Sequence, residues 1–413
     1  MRRKPTEHPG ARARKPRWTA LRAAVLAAVA ATALAACSGS GNAKADHGAS
    51  DDKPASSAAP AAITVKPDPG SDAPAEPGSQ VTIRTSSGKL TEVKVSAPDT
   101  DAFAGSLSTD GATWTSSARL APGARYTVLA RAEAPNGKQI SEHGTITTAE
   151  AQDTFVGEYS PDKGTTVGVG MPVSVTFNKP IRDKAAVERG LAVTASPAVE
   201  GARRWMKDRN GKDRIDYRPR TYWKPATQVT LRMSLSGVDA GGGVLGTQQR
   251  VVHFRIGQAV VSTVDVKRKT MTVTRNGKVL RTLPVSTGKT GYETWNGTMV
   301  VLGKVPTIRM NSRTVGIFGP EAYDLGEVRW DVQLTPSGTY AHAAPWNEGK
   351  FGRVNGSHGC IGMSTKNAKW FFERVHPGDP VTVVHSKDTV AVNNGYGDWN
   401  VAWATWRAAS ALN

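Results

Sequence analysis

The chain has 413 residues, with 53 Lys and Arg against 35 Asp and Glu and a formal net charge of +18. A hydrophobic share of 38% excludes a polytopic membrane protein, and 42 Gly with 25 Pro argue against an all-helical bundle. Two cysteines, Cys37 and Cys360, exclude a disulfide framework. The surplus positive charge suits an anionic membrane or cell-wall surface, while no basic, aromatic-interleaved motif points to nucleic acid as a partner.

In chain order, residues 1–22 are basic and residues 23–36 are small and apolar. The apolar run is too short to span a bilayer and has the form of a signal-peptide core. It ends in Leu34-Ala35-Ala36-Cys37, which resembles a bacterial lipobox, whose cysteine is lipidated and becomes the new N-terminus. An ordinary signal peptide cut after Ala36 is the alternative. Residues 1–37 are thus expected to be a lipoprotein signal peptide. Residues 38–60 form a polar tether that cannot bury enough surface to fold. The implied location is extracytoplasmic, anchored to the membrane by lipid and facing the wall.

From 61 to 149, short alternating runs such as 81–85, 90–97, 112–117 and 125–133 are separated by Gly, Pro, Asn and Asp. This pattern predicts an immunoglobulin-like β-sandwich with Trp114 and Tyr126 in its core. A second all-β unit is expected over 150–257, with runs at 166–178, 215–220, 228–237 and 251–257. His253 in the last run reads as a strand histidine, not a ligand. A third, β-rich unit over 258–385 opens with hairpins turning at Arg268-Lys269 and Asn276-Gly277. Residues 365–376 carry Ala368, Phe371, Phe372 and Val375 at helical spacing and predict the one main helix, stopped by Pro377-Gly378. Trp399, Trp403 and Trp406 mark 386–413 as a strap packed on another domain.

Chemistry concentrates in Tyr340-Ala341-His342-Ala343-Ala344-Pro345-Trp346 and Ser357-His358-Gly359-Cys360. A free thiol is only a few per cent thiolate at neutral pH, and a nearby histidine can take its proton. Glycine at 359 lets backbone approach a substrate carbonyl, and the N–H groups of Gly359 and Cys360 are candidate oxyanion donors. One cysteine without a Cys-x-x-Cys partner makes a zinc site a poor rival, and neither metal nor cofactor is expected.

His342, fourteen residues and then Ser-His-Gly-Cys resembles the signature of the L,D-transpeptidase catalytic domain, the YkuD family. Segment 161–181 and Tyr222-Trp223-Lys224-Pro225 resemble the immunoglobulin-like domain that precedes it in actinobacterial members. The resemblance implies a mainly β fold: two immunoglobulin-like sandwiches, then a YkuD-type domain. It implies Cys360 as nucleophile, His342 as base and the Ala343 carbonyl as orienter of the imidazole. By the same resemblance His358 supports the loop and oxyanion region, Ser357 and Gly359 shape the turn, and Tyr323, Met310 and Trp346 border the substrate. The implied reaction is a 3→3 peptidoglycan cross-link through a cysteine acyl-enzyme, between a donor tetrapeptide stem and an acceptor amine, and the site is a carbapenem target. Gly362 departs from the family's usual Asn or Arg. An L,D-carboxypeptidase, a protein-to-wall anchoring transferase and a non-catalytic wall-binding lipoprotein remain open on sequence.

Overall fold

The computed structural model describes residues 61–98 and 102–413, so Cys37, the signal-like segment and the tether lie outside the described residues. A first pair of antiparallel sheets has four strands (Ile63–Lys66, Gln80–Thr85, Thr113–Arg119, Gly105–Leu107) and three strands (Lys89–Ser96, Arg125–Glu133, Gln139–Thr147). Side chains alternate along each strand. In Arg125–Glu133, Tyr126, Val128, Ala130 and Ala132 therefore all face Ile83 and Trp114 in one core.

The second pair of sheets is built on Val173–Phe177, Asp213–Pro219, Gln228–Ser234 and Gln249–Ile256. Its core joins Phe155, Phe177, Trp205, Trp223 and Leu231. The sequence run at 166–178 is not one strand. It divides into Thr166–Val167 and Val173–Phe177, because the backbone between them pairs with the third unit. Gly168 N–H donates to Pro377 O at 2.8 Å and Gly170 N–H to Gly378 O at 2.9 Å. A Cβ on Gly168 would lie 2.2 Å from the Asp379 nitrogen, so the approach requires glycine. Strands Leu191–Ser196 and Gly201–Lys207 and the short helix Lys184–Arg189 had no clear sequence signal. His253 points outward and shares a 2.9 Å hydrogen bond with the Thr230 hydroxyl.

The third unit has a five-stranded sheet (Lys278–Pro284, Thr270–Arg275, Val260–Asp265, Pro380–Val384, Gly297–Val300). Beside it lies a four-stranded sheet in the order Gly303–Asn311, Asp324–Gln333, Tyr340–Ala343, Ile361–Met363. Helix Thr365–Phe372 closes the core with Ala368 and Phe371. It is four residues shorter than the periodicity predicts, because the His376 N–H donates to Asp379 Oδ2 and not to Phe372 O, and Pro377 has no N–H for Glu373 O; Val375 reaches the same core from the following turn. The Ser364 hydroxyl caps the helix by accepting from Asn367 N–H.

The tail crosses both later units. Trp399 Nε1–H donates to Gly170 O at 2.8 Å and Trp406 Nε1–H to Ala202 O at 2.9 Å, while the Asn400 amide brackets Thr298 in the third unit. Arg218 lies within 4.6–5.3 Å of the ring centres of Trp399, Trp403 and Trp406. Next to it, Arg214 pairs with Asp216.

Candidate active site

The four-stranded sheet has two chemically different faces. Val332, Ala341, Ala343, Ile361 and Met363 enter the core. The intervening positions put His342 and Gly362 on the other face, directly opposite each other in the parallel pairing of Tyr340–Ala343 with Ile361–Met363. Cys360 lies one step before that last strand. This register, not sequence proximity, brings the two motifs together.

His342 is 4% exposed. Its Nδ1–H donates to Ala343 O at 2.8 Å. A carbonyl oxygen only accepts, so Nδ1 carries the proton and Nε2 keeps its lone pair. Trp346, 45% exposed, stacks over the ring at 5.9 Å and a 30° interplanar angle. Burial lowers the imidazole's affinity for a second proton. Cys360, 9% exposed, donates its Sγ–H to Gly338 O at 3.5 Å. Burial above all pushes the thiol up to about 11. Both shifts favour a neutral thiol beside a neutral imidazole at rest.

The loop ahead of Cys360 is stitched to residues 286–289. Ser357 N–H donates to Thr287 O, Lys289 N–H to Ser357 O, and Ser286 and Gly362 exchange backbone bonds of 2.9 and 2.8 Å. Ser357 Oγ donates to Cys360 O at 2.6 Å. Gly359 has φ +111°, which only glycine adopts without strain. Its N–H donates to Ser357 Oγ at 3.2 Å, so of the two expected oxyanion donors this one is already engaged.

His358 does not bond to its own loop. Its Nε2–H donates to Glu321 Oε2 at 2.6 Å, and Lys289 Nζ meets the same oxygen at 2.6 Å. Lys289 first, and His358 after it, hold the Glu321 carboxyl below its usual range. The His358 ring packs 4.8 Å from Tyr292 and 5.0 Å from Tyr323. Tyr323 is pushed up to about 12, by burial and then by the charge on Cys360, which sets its hydroxyl in the neighbourhood of Cys360. Met310 is half-buried at the register shift of strand Gly303–Asn311. A side chain at Gly362 would meet Ala344 Cβ at 3.2 Å, a tight contact that leaves little room for the family's larger residue.

Glu321, Lys289, Tyr292 and the carbonyl of Gly338 belong to the site but were not singled out in the sequence. None sits in a motif of fixed spacing. Among the described residues, no group of three or more His, Cys, Asp or Glu side chains is arranged to hold a metal.

Residues 259–383 match the family model described as L,D-transpeptidase catalytic domain, and residues 72–239 match that of a bacterial Ig domain, which runs across both pairs of sheets. The chain is 36% identical over 334 residues to L,D-transpeptidase 2 of Mycobacterium tuberculosis (strain CDC 1551 / Oshkosh), covering 80% of each chain. It is 32% identical over 340 residues to L,D-transpeptidase 5 of the H37Rv strain, covering 81% of this chain and 74% of that one. Among solved structures, one of LD transpeptidase LdtMt1 in complex with imipenem is 36% identical, covers 56% of this chain and 99% of its own, and superposes with a TM-score of 0.49.

Proposed function

This chain belongs to the L,D-transpeptidase family, and from that premise we propose that it cross-links peptidoglycan stems through an acyl-enzyme on Cys360. The observation that carries the reading is the strand pairing that sets His342 opposite Gly362 and beside the Cys360 loop, with Nδ1 already committed to Ala343 O.

His342 Nε2 takes the Sγ proton as Sγ attacks the carbonyl of the third, diamino-acid residue of a donor tetrapeptide. The Cys360 N–H faces the developing oxyanion. Collapse breaks the amide bond, the imidazolium gives its proton to the leaving D-Ala amine, and a thioester remains. A side-chain amine of a neighbouring stem then attacks the thioester carbonyl. His342 accepts the amine's proton and returns it to the departing sulfur. The product is a 3→3 link, and the energy comes from the bond first cleaved. Glu321 and Lys289 fix His358 and, through it, its packing against Tyr323.

The test is incubation of the purified protein with a disaccharide-tetrapeptide, followed by mass analysis. A dimer lacking one D-Ala supports the reading. A tripeptide alone assigns water as acceptor and a carboxypeptidase instead, and no product removes the enzyme. The lipobox-like Leu34-Ala35-Ala36-Cys37 supports attachment to the outer face of the membrane by lipid on Cys37. Cys37→Ala is expected to move the protein out of the membrane fraction with its activity intact; retention there refutes the anchor.

A further inference from the structure

Asp331 stands on the catalytic face of the sheet with no bonding partner. The antiparallel ladder pairs Val332 with Ala341 and Gln333 with Tyr340. One step further along the same strand, Asp331 comes level with His342, and alternation puts it on the face of Tyr340, His342 and Cys360, away from the core occupied by Val332 and Ala341. The preceding residue, Trp330, has φ +61°, a left-handed conformation inside a strand, and beyond it Asp331 and Val332 are both buried. Asp331 is 0% exposed, and neither carboxylate oxygen has a hydrogen-bond partner.

We propose that Asp331 is a positioning residue that holds Cys360 as a thiol until His342 takes the proton. The proposal rests on the reading of Cys360 as nucleophile and His342 as base. Two anions enclosed on one sheet face oppose each other. A charged Asp331 therefore makes an isolated Cys360 thiolate costly. It tolerates a thiolate formed together with the His342 imidazolium, because that cation arises level with the carboxylate across the ladder. The proton leaving Sγ goes to Nε2, and no other group changes charge.

Among the described residues, none supplies a charge that neutralises Asp331. On the strand Gly303–Asn311, Val305 is directly opposite, and the neighbouring Lys304 ammonium is bound to the carbonyls of Phe372 and Val375. On the helix Thr365–Phe372, Lys369 is paired with Glu373. Tyr340 and His342 face it from the next strand, and Cys360 from the loop. Burial pushes the Asp331 carboxyl up to about 7, and its charge adds to burial in raising both Cys360 and Tyr340.

The experiment follows alkylation of Cys360 by iodoacetamide in the full-length protein between pH 5 and 12, mapping the modified peptide by mass. The wild-type rate is expected to flatten above pH 7, where Asp331 ionises, before rising again. Asp331→Asn is expected to remove the flattening, to lower the alkylation midpoint by about one unit and to speed alkylation about tenfold at pH 8. Asp331→Glu is expected to restore the wild-type profile. Asp331→Ala, which leaves no unpaired amide, is expected to behave as Asn does. A midpoint unchanged or raised in folded Asn and Ala variants, or a single-step profile in the wild type, overturns the proposal. Alkylation does not need the transferase reaction, so absence of turnover on tetrapeptide refutes the function separately from this proposal.

Discussion

The imidazole of His342 has only one nitrogen free for chemistry, because Nδ1–H is committed to Ala343 O. On the proposed mechanism, removing the ring removes the base and leaves the nucleophile in place. His342→Ala is expected to slow the formation of a carbapenem adduct on Cys360 by about 10²–10⁴-fold, the usual worth of a positioned base. Intact-mass time courses measure this, with Cys360→Ala as the variant that takes up no drug; an unchanged rate in His342→Ala would hand the role to His358. A second residue-scale prediction concerns Asp379, 2% exposed and pushed up to about 7, chiefly by burial. Its folded pKa exceeds its unfolded value of roughly 3.9. Between those values the folded state binds more protons than the unfolded state, so this group's contribution to stability falls as pH rises from 4 to 7 and stays low above. Replacing Asp379 by Asn is expected to flatten the decline of Tm between pH 5 and 8, and a slope identical to the wild type's refutes the linkage.

At the scale of elements, the segment between strands Gly303–Asn311 and Asp324–Gln333 is fixed to the loop ahead of Cys360 through one carboxylate. Glu321 lies in a single turn, Gly319–Glu321, and receives both His358 and Lys289. Glu321→Gln keeps the shape but weakens both charge-assisted bonds. It is expected to raise KM for the donor several-fold with a smaller change in kcat, and to increase proteolytic cleavage within 312–323. Steady-state kinetics and limited proteolysis check the two arms. This clasp was not legible in the sequence: Glu321 is separated from His358 by 37 positions and no spacing rule connects them. The meeting of the His342 and Cys360 segments was legible because each lies in a compact motif, and the hairpin turn at Asn276-Gly277 because both residues adopt the positive φ it demands. Periodicity found the helix but overran its end. It joined 166–178 into one run because it cannot see the backbone of another unit arriving at Gly168 and Gly170. The burial of Asp331 was equally hidden, since strand alternation assigns it to the face opposite Val332 but does not tell whether that face is covered.

At the scale of the whole molecule, the tail joins the second and third units. Trp406 is fully buried, and Asn400 and Trp399 grip the two sides. Trp406→Ala is expected to cost about 3–5 kcal/mol, the range for emptying a large buried side chain, measured by urea unfolding; a loss below about 1 kcal/mol would mean that the ring contributes little to the join. The Arg218 cluster has a further consequence for the order in which the protein is made. Domains assemble as units from the N-terminal side during synthesis, so the second pair of sheets is complete before its cover exists. Val401, whose carbonyl receives the Arg218 guanidinium, is added 183 residues after it. Throughout that interval Arg218 has no indole above it, whereas Arg214 already has Asp216 on its own strand. The arrival of Trp399, Trp403 and Trp406 over Arg218 is thus the last step that closes this face.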